Sequence, residues 1–178
     1  MIQVTIIGSG NVARHLIKTL SEKAEIELVQ VFSRKAEAVA DIVNSTKIIT
    51  DLSQLKSVDI TIISVTDDAI VEVSNQIPFQ NQLVVHTSGS VSIDALDKKN
   101  RKGSFYPLQT FSKKAEVDFS QIPIFLESEN ETDFEFLTTI AEIISHKVYK
   151  TNSEQRKALH VAAVFVNNFV NHLLLTAR

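Results

Sequence analysis

This chain lacks several of the residue types on which common chemistries depend. It contains no cysteine, which excludes disulfides, thiolate metal sites and cysteine nucleophiles and suits a reducing compartment. Its three prolines and four glycines are too few for a Pro-rich or Gly-rich linker. The net charge of −3 gives no general attraction to nucleic acid or to an anionic membrane. We therefore predict a cytoplasmic protein that has neither of these as a partner.

Long hydrophobic runs are also missing. The longest, at residues 161–166, is far too short to span a bilayer, and the chain begins with a strand pattern rather than a signal peptide. The 178 residues are 44% hydrophobic and 22% charged, which suits one globular domain with a sizeable core. We expect any second domain to be partial.

The most informative segment that is present covers residues 4–13. A short β-branched strand leads directly into the turn G-x-G-x-x-A, which opens a helix. Gly8 permits the tight turn, Gly10 lets the backbone approach a pyrophosphate, and Ala13 lets the helix lie close to the strand. This pattern in this context predicts dinucleotide binding, against the alternative of a glycine-rich turn that binds nothing. The predicted pyrophosphate-binding residues are Gly8, Ser9, Gly10, Asn11 and Val12.

Strand and helix patterns alternate along the rest of the chain. This alternation is typical of a doubly wound, mostly parallel α/β sheet of the Rossmann type. The predicted strands are at residues 2–7, 27–32, 47–50, 60–65, 83–86 and 102–106, with further candidates at 124–127 and 147–149. The predicted helices after the first are at residues 35–43, 68–75, 91–98 and 132–145.

The last segment predicts one long helix from Ser153, a good N-cap, to Arg178. A broad apolar face opposes a narrow polar stripe when the helix is turned by 100° per residue. The apolar face comprises Leu159, Ala162, Val166, Phe169, Val170 and Leu173, and the polar stripe comprises Lys157, His160, Asn167 and Asn171.

So wide an apolar face needs a partner. We therefore predict a Rossmann-like domain at residues 1–150 and the start of a truncated all-α C-terminal domain at residues 151–178. The expected partner is a second copy of the chain, which would give a homodimer through this helical region. The alternative is a monomer in which the helix folds back on the sheet.

The end of the second strand indicates which dinucleotide is bound. Enzymes that prefer NAD place an acid there to bind the ribose 2′-hydroxyl, whereas this chain has Ser33 and Arg34. A serine and a basic residue would hold a 2′-phosphate. The sequence therefore favours NADP, although an incidental basic pair at a helix start remains the alternative.

Two more strand ends carry polar residues at the ligand-binding edge of such a sheet. Thr66 is expected to border the cofactor, while Asp67 and Asp68 are interpreted as helix-capping acids, and we predict no metal site. Residues 86–90 form a hydroxyl-rich loop whose hydroxyls and free N–H groups suit a carboxylate or a carbonyl oxygen. Thr87, Ser88 and Gly89 are the residues of this loop assigned to the site.

Several of these segments resemble a known group of proteins. The strings at residues 103–112 (GSFYPLQTFS), 122–127 (IPIFLE) and 160–168 are similar to those of a poorly characterised group of NADP oxidoreductase-like proteins. That group joins a Rossmann domain to a helical C-terminal dimerisation domain of unknown function. More distantly, the chain resembles pyrroline-5-carboxylate reductase, deazaflavin-dependent NADP reductases and 3-hydroxyisobutyrate dehydrogenase.

The chain departs from 3-hydroxyisobutyrate dehydrogenase at one catalytic position. That enzyme has a catalytic lysine one turn before paired asparagines; Asn167 and Asn168 match the pair, but Val164 stands at the lysine position. His160 lies one turn earlier, and imidazole suits proton transfer near neutral pH. The predicted catalytic residues are therefore His160, Asn167 and Ser88, with Ser88 also near the cofactor. A histidine that only bonds the helix to the sheet is the alternative for His160.

These expectations combine into one leading function. The resemblance implies hydride transfer between NADP and a small carbonyl, imine or hydroxy-acid substrate. Thr87, Gly89 and Tyr106 would then shape the substrate pocket. The alternative is a non-catalytic NADP-binding module with a regulatory or scaffold role, which the missing lysine keeps open.

Overall fold

One eight-stranded sheet organises the chain. The computed structural model describes residues 1–112 and 117–176, with side chains as far as residue 166. The strands are β1 (Ile2–Ile7), β2 (Ile26–Phe32), β3 (Ile48–Ile49), β4 (Ile60–Ile63), β5 (Leu83–His86), β6 (Arg101–Pro107), β7 (Ile124–Ser128) and β8 (Val148–Lys150). Their order across the sheet is β3-β2-β1-β4-β5-β6-β7-β8.

The sheet changes direction once. Strands β1 to β6 are parallel to one another, β7 is antiparallel to β6, and β8 runs parallel to β7. The strand order reverses between β1 and β4, where the carboxyl ends of parallel strands leave a crevice. The prediction of a doubly wound, mostly parallel Rossmann sheet followed by a helix is confirmed.

In the described part of the chain, four α-helices accompany the sheet: α1 (Asn11–Ser21), α2 (Ile70–Gln76), α3 (Glu131–Ile144) and α4 (Ser153–Thr176). Buried apolar residues form one cluster on each face of the sheet. One contains Ile6 and Ile62 together with the inner sides of α1 and α3. The other contains Ile7, Ile63 and the start of α2. Neighbouring residues of a strand thus face opposite layers, as the pleat requires.

Two predicted helices are wrong. Residues 35–43 form a 3-10 turn at Ala36–Ala38 followed by further turns, and no α-helix. Here Arg14 of α1 donates to the carbonyl of Ala38 and pairs with Asp41, so contacts to another element replace the helical ladder. Residues 91–98 likewise contain only a 3-10 turn, Ile93–Ala95.

Helix α4 begins with a reciprocal cap. Asn152 Oδ1 accepts from the backbone N–H of Gln155 at 2.9 Å, and Gln155 Oε1 accepts from the N–H of Asn152 at 3.2 Å. This is a capping box, so the N-cap predicted at Ser153 is wrong by one residue. Ser153 instead donates from both its N–H and its hydroxyl to Glu127 of β7.

The two sides of α4 differ in character. Arg156 and His160 face the sheet, whereas Leu159, Ala162 and Val166 of the predicted apolar face are exposed. The remaining members of that face lie outside the described side chains. Within the described residues, no helix has the length and hydropathy that crossing a membrane requires.

Candidate functional site

A cleft of about 910 Å³ lies at the carboxyl edge of the sheet, where the strand order reverses. It extends from the turn after β2 to the end of β6. The sequence-predicted residues that line it are Gly8, Ser9, Gly10, Asn11, Val12, Ser33, Arg34, Thr66, Thr87, Ser88, Gly89, Tyr106 and His160. Asn167 is the remaining predicted residue, and its side chain lies outside the described part of α4.

The glycines of the first turn have different structural roles. Gly8 has a φ of +142°, and a Cβ there would lie 2.0 Å from the carbonyl oxygen of Ser64. A side chain at this position would therefore meet both backbone strain and a neighbouring strand. Gly10 precedes α1 with a φ of −71°, and a Cβ there would meet no atom within 4 Å. The space before the N-terminus of α1 is thus open, as a bound pyrophosphate requires.

The segment after β6 lies along one edge of this turn. This segment comprises residues 108–112. Asn11 Nδ2 donates to the carbonyl of Phe111 at 3.0 Å, and His15 Nε2 lies 2.9 Å from the carbonyl of Ser112. The ring of Phe111 lies 5.1 Å from that of His15 and also lines the cleft. Gln109 and Phe111 of the Tyr-Pro-Leu-Gln-Thr-Phe string therefore form the part of the cleft wall next to the glycine turn.

Ser33 and Arg34 both follow β2, but they differ in their exposure to solvent. Ser33 is buried, and its hydroxyl donates to the carbonyl of Lys35 at 2.8 Å. Arg34 is exposed and lines the cleft. The pKa of Asp68 lies below its usual value, mainly because it accepts a hydrogen bond from Thr66, with a smaller contribution from the positive charge of Arg34. Of the two side chains, the exposed Arg34 guanidinium is therefore the one available to bind a phosphate at the β2 end of the cleft.

The hydroxyl groups of the loop after β5 form hydrogen bonds within the protein. Thr87 donates to the hydroxyl of Ser64 at 3.1 Å. Ser88 Oγ accepts from the backbone N–H groups of Ser90 at 3.1 Å and Val91 at 3.0 Å. The hydroxyl of Ser90 donates to the carboxylate of Asp67. Asp67 therefore binds this loop through its carboxylate. Asp67 and Asp68 both lie in the first turn of the 3-10 segment that leads into α2, where the sequence placed them as helix-start acids.

Tyr106 and His160 meet at the far end of the cleft. The phenol oxygen of Tyr106 lies 2.8 Å from Nδ1 of His160, and the rings pack edge to face at 5.8 Å. Burial raises the pKa of Tyr106 to about 12, so the phenol keeps its proton at physiological pH. A Cβ on Gly89 would lie 2.6 Å from the His160 ring. The structure thus brings Gly89, Tyr106 and His160 together.

The sequence analysis did not predict two residues that support the loop after β5: Arg156 and Glu127. Arg156 is fully buried and pairs through its guanidinium with Glu127 of β7. Its Nε donates to the carbonyl of Ser88 at 3.1 Å, and its NH2 group donates to the carbonyl of Val91. A basic residue near a helix start usually faces solvent, so no local pattern indicated this ion pair.

His86 lies beneath the same loop. It is fully buried, and its Nδ1 accepts from the backbone N–H of Ser88 at 3.2 Å. Burial, together with the nearby charge of Arg156, lowers the pKa of His86 to about 4. The imidazole is therefore neutral in the folded protein at physiological pH and acts as an acceptor for the loop.

Comparison with protein families divides the chain into two matched parts. Residues 3–89 match the family described as NADP oxidoreductase, coenzyme F420-dependent. Residues 122–178 match a domain of unknown function, DUF2520. The search of curated proteins gave no match.

Solved structures extend the likeness to nearly the whole chain. A crystal structure assigned as a candidate NADP oxidoreductase of Bacteroides fragilis is 39% identical, with a TM-score of 0.89, covering 99% of this chain and 70% of that one. A Thermotoga maritima protein is 28% identical, with a TM-score of 0.74, covering 96% of this chain and 65% of that one. Plasmodium falciparum pyrroline carboxylate reductase with NADP bound shares the fold at 15% identity, with a TM-score of 0.72 and coverage of 98% and 67%.

Proposed function

The chain belongs to the family of NADP oxidoreductases represented by the Bacteroides fragilis protein, and we propose that it transfers a hydride between NADP and a small carbonyl, imine or hydroxy-acid substrate. One observation carries the proposal. A single cleft joins the open space before Gly10 to the Tyr106 and His160 pair. A cofactor bound along this cleft can therefore have its phosphates at one end and a proton-transferring pair at the other.

The residues around the first end fit a phosphorylated dinucleotide. Gly8, Ser9, Gly10, Asn11 and Val12 would hold the pyrophosphate at the N-terminus of α1. The Arg34 guanidinium and the Ser33 turn would hold the 2′-phosphate, because a guanidinium can bind phosphate through two parallel N–H groups. Thr66 would border the ribose. When bound, the cofactor supplies or accepts the hydride.

The residues around the second end would position the substrate and move a proton. Tyr106 retains its phenolic proton and lies within hydrogen-bond distance of His160. We assign His160 as the group that exchanges a proton with the substrate and Tyr106 as its hydrogen-bond partner in the pocket. Thr87, Ser88 and Gly89 would form the pocket wall, and Asn167 would complete it from α4.

Cofactor titration tests the first half of this proposal. NADPH and NADH fluorescence should show tighter binding of NADPH, by about 10-fold or more for a charge-assisted phosphate contact. Arg34→Glu should remove most of this preference while leaving NADH binding intact. Lys35→Glu is the matched control, because Lys35 carries the same charge but does not line the cleft. Equal losses for both cofactors in Arg34→Glu would contradict the assignment.

Turnover tests the second half. A screen of imines, keto acids and hydroxy acids should give NADPH-dependent or NADP-dependent activity that His160→Ala greatly reduces without changing NADPH affinity. NADPH binding without turnover of any of these classes would instead favour a non-catalytic NADP-binding module.

We also propose that the protein is a cytoplasmic homodimer that pairs through α4. Exposed apolar side chains on this helix support pairing; Phe165 is 69% exposed and Val166 is 61% exposed. A contiguous exposed apolar surface of this kind usually marks a contact site. Sedimentation equilibrium should give twice the chain mass for the wild type and the mass of one chain for Phe165→Glu.

A further inference from the structure

One backbone donor in the loop after β5 lacks an acceptor. The N–H groups of Thr87, Ser88, Ser90 and Val91 all donate within the protein. Among the described residues, none accepts a hydrogen bond from the N–H of Gly89. Gly89 is nevertheless buried and lines the cleft. A buried backbone N–H almost always has an acceptor, so this group indicates that a ligand supplies one.

Arg156 fixes the direction of this N–H. The Ser88 carbonyl belongs to the same peptide unit, and it accepts from Arg156 Nε at 3.1 Å. The unit is trans, and the carbonyl and N–H of a planar trans peptide point in opposite directions. The Gly89 N–H is therefore directed away from Arg156. The guanidinium is fully buried and is itself held by Glu127 and by the Val91 carbonyl.

The Gly89 peptide lies beside the Tyr106 and His160 pair. A Cβ on Gly89 would lie 2.6 Å from the His160 ring. The phenol oxygen of Tyr106 in turn lies 2.8 Å from His160 Nδ1. An acceptor atom bound to the Gly89 N–H would therefore lie next to the groups assigned to proton transfer.

The charge of Arg156 favours an acceptor that becomes negative. Burial is the main cause of the low pKa of His86, and the positive charge of Arg156 lowers that pKa further. Burial raises the pKa of Tyr106, and the same positive charge partly opposes this rise. Asp67 acts in the opposite sense on both groups, and less strongly. The dominant charge at this end of the cleft is therefore positive.

We propose that the Gly89 N–H donates to the carbonyl oxygen of the substrate and that Arg156 is the positioning residue for this N–H. The inference rests on the proposed function, which supplies the hydride. Hydride addition to the carbonyl carbon forms a C–H bond, oxidises NADPH to NADP⁺ and moves the π electrons of the C=O bond onto the oxygen. That oxygen then takes a proton from His160. A fixed donor directed at this oxygen stabilises the negative charge that develops on it.

This donor distinguishes between the substrate classes of the proposed function. A carbonyl oxygen has lone pairs that accept from an N–H group. An iminium nitrogen has none, so it would leave the Gly89 N–H buried without an acceptor. The site therefore fits a ketone or aldehyde in one direction and the corresponding hydroxy compound in the other.

The Gly89 amide can be observed directly by NMR. The chain has four glycines, of which Gly10 and Gly89 follow a serine. Labelling with ¹⁵N-glycine and carbonyl-¹³C serine therefore selects these two amides. The signal that remains in Gly10→Ala belongs to Gly89.

The full chain saturated with NADP⁺ is then titrated with cyclohexanone, which an oxidised cofactor cannot reduce. We expect the Gly89 proton to shift downfield and its temperature dependence to decrease, because the amide gains an acceptor. Cyclohexylammonium has a similar shape but only donors, so it should cause no such change. The absence of a response to cyclohexanone, an equal response to cyclohexylammonium, or formation of NADPH from cyclohexylammonium would overturn the proposal.

Arg156→Lys tests the positioning role, since lysine keeps a cation for Glu127 but carries all its donors on one nitrogen. Cyclohexanone affinity should fall about 5-fold, the range of one neutral hydrogen bond, and the Gly89 shift should diminish, with NADP⁺ affinity unchanged. Arg101→Lys is the matched control and should behave as the wild type. Arg101 also pairs with an acid, Asp133, and donates from Nε to a backbone carbonyl, but it lies at the start of β6.

An Arg156→Lys variant that retains both the shift and the affinity would overturn the positioning role. The wild-type titration decides the assignment of the Gly89 N–H whether or not this variant folds. A downfield shift on NADP⁺ binding that cyclohexanone does not increase would assign the N–H to the carboxamide oxygen of the cofactor and overturn this inference alone. A wild-type chain that binds neither NADPH nor NADP⁺ would overturn the proposed function as well.

Discussion

Arg156 in the first turn of α4 donates from Nε to the backbone carbonyl of Ser88 at a distance of 3.1 Å. The same guanidinium pairs with Glu127. The helix, the loop after β5 and the antiparallel strand β7 are therefore joined at one buried side chain. This contact anchors the loop after β5 to both elements.

Replacing Arg156 with methionine should lower the free energy of unfolding by about 3 kcal/mol, because it leaves a largely buried carboxylate on Glu127 without its cation. Urea denaturation measures this loss. Lys150→Met is the control, since the Lys150 and Glu131 pair is exposed and should contribute less than about 1 kcal/mol. Similar losses in the two variants would contradict the structural role of Arg156.

Alanine substitutions of Gly8 and Gly10 should separate folding from cofactor binding. Gly8→Ala should cost about 3 kcal/mol or prevent folding, because its Cβ would meet the Ser64 carbonyl. Gly10→Ala has room for its methyl group and should change stability by less than about 1 kcal/mol. That methyl group would nevertheless occupy the proposed pyrophosphate site, so NADPH affinity should fall at least 10-fold. Normal NADPH binding by Gly10→Ala would refute the site.

His86 should make stability depend on pH in the acidic range. Its pKa is about 4 in the folded protein and about 6.5 when unfolded. Above pH 6.5 neither state is protonated, and the full stability is present. Between pH 6.5 and 4 only the unfolded state gains a proton, so stability should fall as pH falls, by up to about 3 kcal/mol.

Denaturation at several pH values between 6.5 and 5 measures this slope. His86→Asn should reduce it, while His146→Asn, which alters an exposed histidine, should keep it. An unchanged slope in His86→Asn would show that other groups are responsible.

Tyr106 should resist ionisation while the protein is folded. The chain has two tyrosines and no tryptophan, so Tyr149→Phe leaves Tyr106 as the sole source of phenolate absorbance. At pH 10.5 the folded variant should show little phenolate, because burial raises the pKa of Tyr106 to about 12. Guanidinium at the same pH should expose the ring and produce the phenolate band. A strong band before denaturant is added would mean that Tyr106 is accessible to solvent.

Local patterns were sufficient to predict much of the fold. Runs of β-branched residues identify β1, β4 and β5. The glycine turn is identified by the fixed spacing of its residues. These patterns predicted the parallel sheet and the edge at which the cleft lies. The antiparallel direction of β7 had no such signal, because a short strand shows the same alternation in either direction.

The absence of the helix predicted at residues 91–98 has a physical cause outside that segment. The Val91 carbonyl accepts from Arg156, and the backbone N–H of Asp97 donates to the Ser74 hydroxyl. Distant side chains therefore use groups that a helix would pair internally. The role of Arg156 was hidden for the same reason, since it depends on residues far away in sequence. The Tyr106 and His160 contact was partly predictable, because both residues had been assigned to one pocket.

The Arg156 contact forms late when the chain folds during its synthesis. Arg156 and Ser88 are separated by 68 positions, and the whole sheet precedes α4 in the chain. A nascent chain leaving the ribosome can thus pair its strands before Arg156 emerges, but the loop after β5 then lacks its buried anchor. The part of the cleft formed by the glycine turn and the end of β2 is therefore complete earlier in translation than the part formed by the loop after β5 and His160.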